Sequence, residues 1–267
     1  MSSQFHVAKN AVVWGGIGMK RVLVAASVAG ALLAPAAAWA EPGLAAEVYG
    51  PAVHQGEGEF AVRGGVLDGG DADGEWQTKI EAGYAFTDFW RPALVAEWEH
   101  EAGDSEFTAV AIENVFDFTS TREWPVHFGA YIEYEVNTQD GPDGLELKLL
   151  MQRERGPLNL MLNLIGEREI GSGSSDTWEF GYAAEASYAL SEDFALGVQG
   201  FGDAGTDEDF GEFGDHAHYW GPFAQFEVAH VGEGEVELQL GYLVSSGESE
   251  ADGQFRFKLE YECGDDD

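Results

Sequence analysis

Glutamate recurs at alternate positions along this chain, on the side opposite a run of apolar residues. Glu59, Glu81, Glu97, Glu99, Glu113, Glu133, Glu179, Glu185 and Glu227 lie on that polar side, together with Arg63, Lys79, Lys148, Arg256 and Lys258. Gathered around a shared interior, such carboxylates attract cations and repel anions. The basic residues would pair with some of them, and even complete pairing leaves an acidic surplus. The alternative is a salt-bridged interior that holds the fold and conducts little.

Three other sets of residues could do chemistry. Asp215-His216-Ala217-His218 puts two imidazoles on one side of an extended chain beside a carboxylate, a donor set for borderline divalent metals, although paired histidines in a loop commonly bind nothing. Asp68-Gly-Gly-Asp71-Ala-Asp73-Gly74 has the composition of a calcium loop. It lacks the distant Glu and the flanking helices, so it reads as a solvated acidic loop. His100 and Ser105 are a possible base and nucleophile near one rim. No G-x-S-x-G accompanies them and Ser105 falls in a loop, so no catalytic residue and no cofactor is expected.

The elements that carry these residues are strands. From Trp178 to Tyr188 the chain alternates strictly, with Trp178, Phe180, Tyr182, Ala184, Ala186 and Tyr188 on one side. Successive side chains of a strand point to opposite faces, so eleven alternating residues predict one. The same pattern recurs at 59–66, 76–86, 94–99, 108–116, 126–134, 145–152, 158–164, 196–200, 223–228, 236–244 and 255–261. With Trp178–Tyr188 this makes twelve strands.

A soluble sandwich shows the same local alternation, and three features separate the two. Closed single-chain barrels of the outer membrane use an even number of strands. The odd-numbered connections (68–75, 100–105, 137–144, 167–176, 203–218, 245–253) are mostly longer and acidic. The even-numbered ones (87–92, 119–125, 153–157, 190–193, 229–235) are mostly shorter, as external loops and periplasmic turns are. Trp76, Trp98, Tyr134, Trp178 and Tyr242 lie beside the long loops, and Phe86, Trp90, Phe116, Trp124, Tyr188 and Tyr261 beside the short turns. These form two belts of interfacial aromatics. The fold expected is all-β: a closed antiparallel transmembrane β-barrel, an up-and-down meander with Leu160, Leu162, Ile132 and Leu240 facing lipid.

The N-terminus reads as a secretory signal peptide. Met19-Lys20-Arg21 is a basic start, 22–33 an apolar run, and Ala38-Trp39-Ala40 a cleavage site, so residues 1–40 are expected to be removed and translation to begin at Met19. The full chain has 13 basic and 49 acidic residues; removal takes Lys9, Lys20 and Arg21 and no acid, leaving 10 basic residues and a net charge of −39. That charge argues against nucleic acid as a partner. A single cysteine, Cys263, excludes an internal disulfide.

The stretches Ala111-Ile-Glu-Asn-Val-Phe-Asp-Phe118, Trp124-Pro125, Gly156-Pro-Leu-Asn-Leu-Met-Leu-Asn163 and Tyr219-Trp-Gly-Pro222 resemble uncharacterised outer-membrane β-barrels of Gram-negative bacteria, near the transporter-type barrels of the MetA pathway of phenol degradation. The resemblance spans roughly all of 41–267. It implies outer-membrane localisation, contact with lipid and lipopolysaccharide, insertion by the barrel-assembly machinery, and passage of small solutes. Such barrels end on an aromatic, whereas here Tyr261 is followed by Glu262-Cys263-Gly264 and three aspartates. The function expected is a narrow channel or transporter for small solutes that prefers cations. A non-conducting structural barrel is the alternative, and an outer-membrane lipid hydrolase a remoter one.

Overall fold

The computed structural model describes residues 43–119 and 124–264; the expected signal peptide, the start at Met19 and the tail beyond Gly264 lie outside these residues. Twelve strands follow one another: β1 Gly58–Asp68, β2 Trp76–Tyr84, β3 Trp90–Glu101, β4 Asp104–Asp117, β5 His127–Asn137, β6 Asp143–Arg155, β7 Leu158–Ile170, β8 Glu179–Ser191, β9 Phe194–Thr206, β10 His218–Val231, β11 Gly234–Ser246 and β12 Gly253–Cys263. Each pairs antiparallel with its neighbours in sequence, and β1 closes the barrel against β12 from Gly58↔Cys263 to Asp68↔Gly253. Among the described residues no helix is long and apolar enough to cross a membrane.

Alternation fixes which face turns outward. Leu94, Ile112, Ile132, Leu147, Leu149, Leu160, Leu162, Leu164, Leu196, Val198, Leu240, Phe255 and Leu259 are all exposed, while Val95, Val115, Leu150, Ile165, Phe201 and Leu243 are buried inside. An apolar outer wall around a polar, partly filled interior inverts the soluble pattern and suits a hydrocarbon surround. Aromatic rings fill gaps in that wall. Trp220 lies across Gly200 on the neighbouring strand, where a Cβ would stand 2.2 Å from the ring.

Several boundaries differ from the sequence expectation. The strands run past their alternating segments, β9 to Thr206 and β7 to Ile170, because polar strand ends keep their ladder partners. The expected loop at 100–105 is a tight hairpin whose only connecting residues are Ala102 and Gly103, both with positive φ (49° and 91°). Two such residues give the primed turn that matches strand twist. The connection from β4 to β5, expected to be short, runs from 118 to 126. Loop asymmetry between the two ends is thus weaker than the sequence suggested. Trp178 stands just before β8, while Phe86 and Trp124 stand in connections.

Candidate functional site

Residues 43–57 descend through the lumen as an extended strap before β1 begins. The strap joins no strand ladder until its end, where Gly56 N–H donates to Ala85 O (2.9 Å) and Ala85 N–H to Glu57 O (2.8 Å). Wall side chains hold it elsewhere. Gln77 Oε1 accepts from Ala45 N–H (2.8 Å), Arg63 Nε donates to Ala45 O (2.9 Å), and Arg256 donates to Ala46 O. Asn163 takes Tyr49 by both backbone groups, at 2.7 and 2.9 Å. Below that, Gln55 reaches Asp88 (3.1 Å) and the carbonyl of Phe86 (3.1 Å). Val48 packs with Ile165, Ala183, Phe201 and Leu243, whereas Tyr49 and Val53 pack with Val115, Tyr131 and Leu150. Pro51 crosses so close to Gly129 that a Cβ there would meet it at 2.7 Å.

Most of the charged residues singled out in the sequence form ion pairs around this strap. Arg63 binds Glu81, Glu113 (3.0 Å) and the strap's Glu47 (3.5 Å). Lys79 binds Glu97 (2.9 Å) and Glu133 (4.0 Å), and Glu59 pairs with Arg91. Lys258 joins Glu47 (2.7 Å) to Glu260 (2.6 Å), and Lys148 binds Glu146 (2.8 Å). Glu185 accepts from Gln199 (2.8 Å) and Glu99 from Gln77 (2.7 Å). Arg256 sits 4.0 Å from the Phe201 ring centre. Glu227 lies at the short-turn rim with His230 (2.6 Å).

The strap borders two cavities. One, of about 230 Å³, lies toward the long loops and is lined by nine glutamates, Glu179 among them, against Arg63, Lys79, Lys148 and Arg168. The other, of about 500 Å³, lies toward the short turns and is lined by eight glutamates against Arg63, Arg91, Arg256 and Lys258. Arg63 and Glu47 line both, so the strap meets the wall where the cavities adjoin.

Glu146, Glu237 and Glu260, on the inward side of their alternating segments, also line the cavities. Sequence reading overlooked Arg91, Glu135 and Glu167, which line them too and follow from the same alternation carried to the strand ends. Tyr49 and Glu47 had no comparable signal, since the strap lacks strand periodicity.

The aromatics anchor their polar tips at the two ends. Tyr134 Oη donates to Asp143 (2.6 Å) and Tyr242 Oη to Asp68 (2.8 Å) at the long-loop end, where Trp76 stacks on His100, Trp98 packs on Phe107 and Trp178 lies under Arg168. At the other end Trp90 Nε1 donates to Asn114 (3.0 Å) and Tyr261 Oη to Val231 O (3.0 Å). Phe86, Phe116 and Trp124 pack against Trp90, Phe89 and Phe128, and Tyr188 is exposed.

The metal candidates are otherwise engaged. His216 bonds Asp203 (3.0 Å) and Phe210 O (2.8 Å), His218 bonds Tyr182 (3.1 Å) and Phe213 O (2.8 Å), and Asp215 accepts from Glu212 N–H (3.2 Å). Among the described residues the one group of donors close enough to share an ion is Glu227, His230 and Glu235, with His230 and Glu235 exposed. His100 Nδ1 and Ser105 Oγ stand 2.8 Å apart on the outward face of the β3–β4 hairpin, and among the described residues no carboxylate hydrogen-bonds His100.

No family model matches the sequence, and no curated protein does. Solved structures match the fold. The COG4313 outer membrane channel from Pseudomonas putida F1 is 13% identical with a TM-score of 0.54, covering 79% of this chain and 96% of that one. The KdgM porin is 9% identical with a TM-score of 0.52, covering 78% and 99%. A KdgM porin in complex with disordered oligogalacturonate gives 8% and 0.51, covering 78% and 99%. At such identities the likeness is one of fold.

Proposed function

We propose that this chain is an outer-membrane channel of a Gram-negative bacterium, exported by a cleaved signal peptide, and that it passes small solutes with a preference for cations. The observation that carries this reading is the partition of charge. Outward positions between the aromatic belts are mostly apolar, Arg153 opposite Leu160 being an exception, while both cavities are lined by about twice as many glutamates as cations. A predominantly apolar exterior suits lipid and lipopolysaccharide as surroundings and the barrel-assembly machinery as the means of insertion. An acidic lumen in a low-dielectric wall accumulates cations and repels anions. The fold shared with a channel and a porin supports passage of small solutes, as does the sequence resemblance to MetA-pathway transporter-type barrels.

A second reading has its own observation. The strap, tied to four walls and seated in two apolar clusters, favours a filled barrel with a structural role. Planar-bilayer recordings of the refolded mature chain separate the two. Steady conductance with a cation-selective reversal potential supports the channel. Silence of the native chain, together with silence after deletion of 43–55, supports the structural barrel.

A further inference from the structure

Tyr131 on β5 and Lys148 on β6 are direct cross-strand partners, and Tyr49 of the strap closes over them from the lumen side. The two rings stand 4.7 Å apart, tilted by 39°. The Lys148 ammonium lies 4.3 Å from the centre of the Tyr131 ring, 4.8 Å from that of Tyr49, and 2.8 Å from Glu146. Each ring is fixed by its hydroxyl: Tyr49 Oη donates to Glu113 (2.9 Å) and Tyr131 Oη to Glu133. A phenol donating to a carboxylate has a more electron-rich face, which strengthens its hold on a cation. Two ring faces and a carboxylate are the groups that recognise an alkylammonium ion, and here a lysine of the protein itself fills the place.

Two facts suit the place to a solute. It opens onto the cavity toward the long loops, since Tyr131, Glu133, Glu146 and Lys148 all line that cavity. The cavity has room, about 230 Å³, and further carboxylates such as Glu135 and Glu167 to receive the lysine ammonium if it swings away.

The geometry points to an ammonium-binding subsite formed by Tyr49, Tyr131 and Glu146, occupied at rest by Lys148 and open to small primary ammonium ions that displace it. This rests on the channel reading above and narrows its solutes to organic cations. Displacement is an exchange of one ammonium for another, so Glu146 never faces the rings uncompensated. Lys148 thereby sets how tightly a passing cation is held: a solute must compete with it and leaves when it returns.

The test is to remove the resident side chain and supply it from solution. Lys148→Ala deletes what amounts to a propylammonium group. Refolded in detergent micelles, that variant should bind n-propylammonium saturably in calorimetry, roughly tenfold or more tighter than the unmutated chain does. Lys148→Ala/Tyr131→Leu should lose that gain, and 1-propanol, of equal length but uncharged, should not bind. Should Lys148→Ala lack the heat-modifiable gel mobility of a folded barrel, Lys148→Gln takes its place. Equal binding by variant and unmutated chain, equal binding of the alcohol, or no effect of Tyr131→Leu would each overturn the proposal. Because binding is read without current, binding in a silent barrel upholds the subsite and removes the channel. Cation-selective current without binding does the reverse.

Discussion

Asn163 holds Tyr49 by the backbone, its Oδ1 accepting from Tyr49 N–H at 2.7 Å and its Nδ2 donating to Tyr49 O at 2.9 Å. Asn163 is fully buried and Tyr49 nearly so, which makes this a two-sided clamp on a chain that has no ladder partner there. Asn163→Leu leaves a buried N–H and C=O without partners. The expected cost is about 1–3 kcal/mol, read as a lower urea midpoint, with faster proteolytic cleavage between 43 and 57 in the folded barrel. Unchanged cleavage and midpoint would refute the clamp.

The outer wall sets a depth rule. On β7, Leu158 lies level with Tyr188 of one belt, Gly166 with Phe180 near the other, and Leu162 midway beside Ala184. Arginine at Leu162 should destabilise the protein by about 2–4 kcal/mol in bilayers, and at Leu158 by about 0–1. Equal effects at the two positions, measured by reversible folding into vesicles, would show that the band is misplaced.

The proposed cation preference is expected to reside in carboxylates that have no cation to hold. Glu97 and Glu133 are the partners of Lys79, so neutralising them frees a buried ammonium as well as removing acid. Glu99, bonded to Gln77, and Glu135 line the same cavity with no ion pair in the described structure, and are the better targets. Glu99→Gln/Glu135→Gln should shift the reversal potential toward zero in a salt gradient, with normal heat-modifiable mobility. The native preference should fade as salt shortens the screening length from about 8–10 Å. An anion-selective native chain rules the reading out.

The loop between β9 and β10 is expected to respond to pH. Burial pushes the His216 pKa down, but hydrogen bonding to Phe210 O and attraction to Asp203 outweigh it and leave the value above the usual 6.5. Both ring nitrogens face acceptors, and only the imidazolium donates from both. A raised folded pKa means the contribution is fully present below 6.5 and disappears as pH rises through the folded value. Hydrogen exchange of residues 207–217, corrected for intrinsic pH dependence, should therefore be slowest at acid pH and rise on titration, a change abolished in His216→Gln. A pH-independent loop would contradict this.

Twelve strands and their facing were legible because each face of each strand has one neighbour, lipid or lumen, and the side chains alternate to match. Even β9, with three alternating residues as its only signal, formed where Leu196 and Val198 implied. The hairpin at Ala102-Gly103 was not legible, since His100, Glu101, Asp104 and Ser105 look like loop residues and pair only because the apolar parts of β3 and β4 already hold them in register. The strap was illegible for a different reason. Val48, Tyr49, Pro51 and Val53 touch different walls, so no period survives, and what marks their path lies elsewhere in sequence, at Asn163 and at Gly129.

The seam between β1 and β12 joins the first strand made to the last. The strap precedes β1 in the chain, so it is at hand before the seam closes as a rod around which the sheet can curl. A rod laid across the concave face before the seam zips needs no threading afterwards. It also presents Arg63 and Arg256 with acceptors while the wall is still open to water. The barrel's inner filling is thus a natural former for its own curvature, and losing it should slow closure more than it loosens the finished wall.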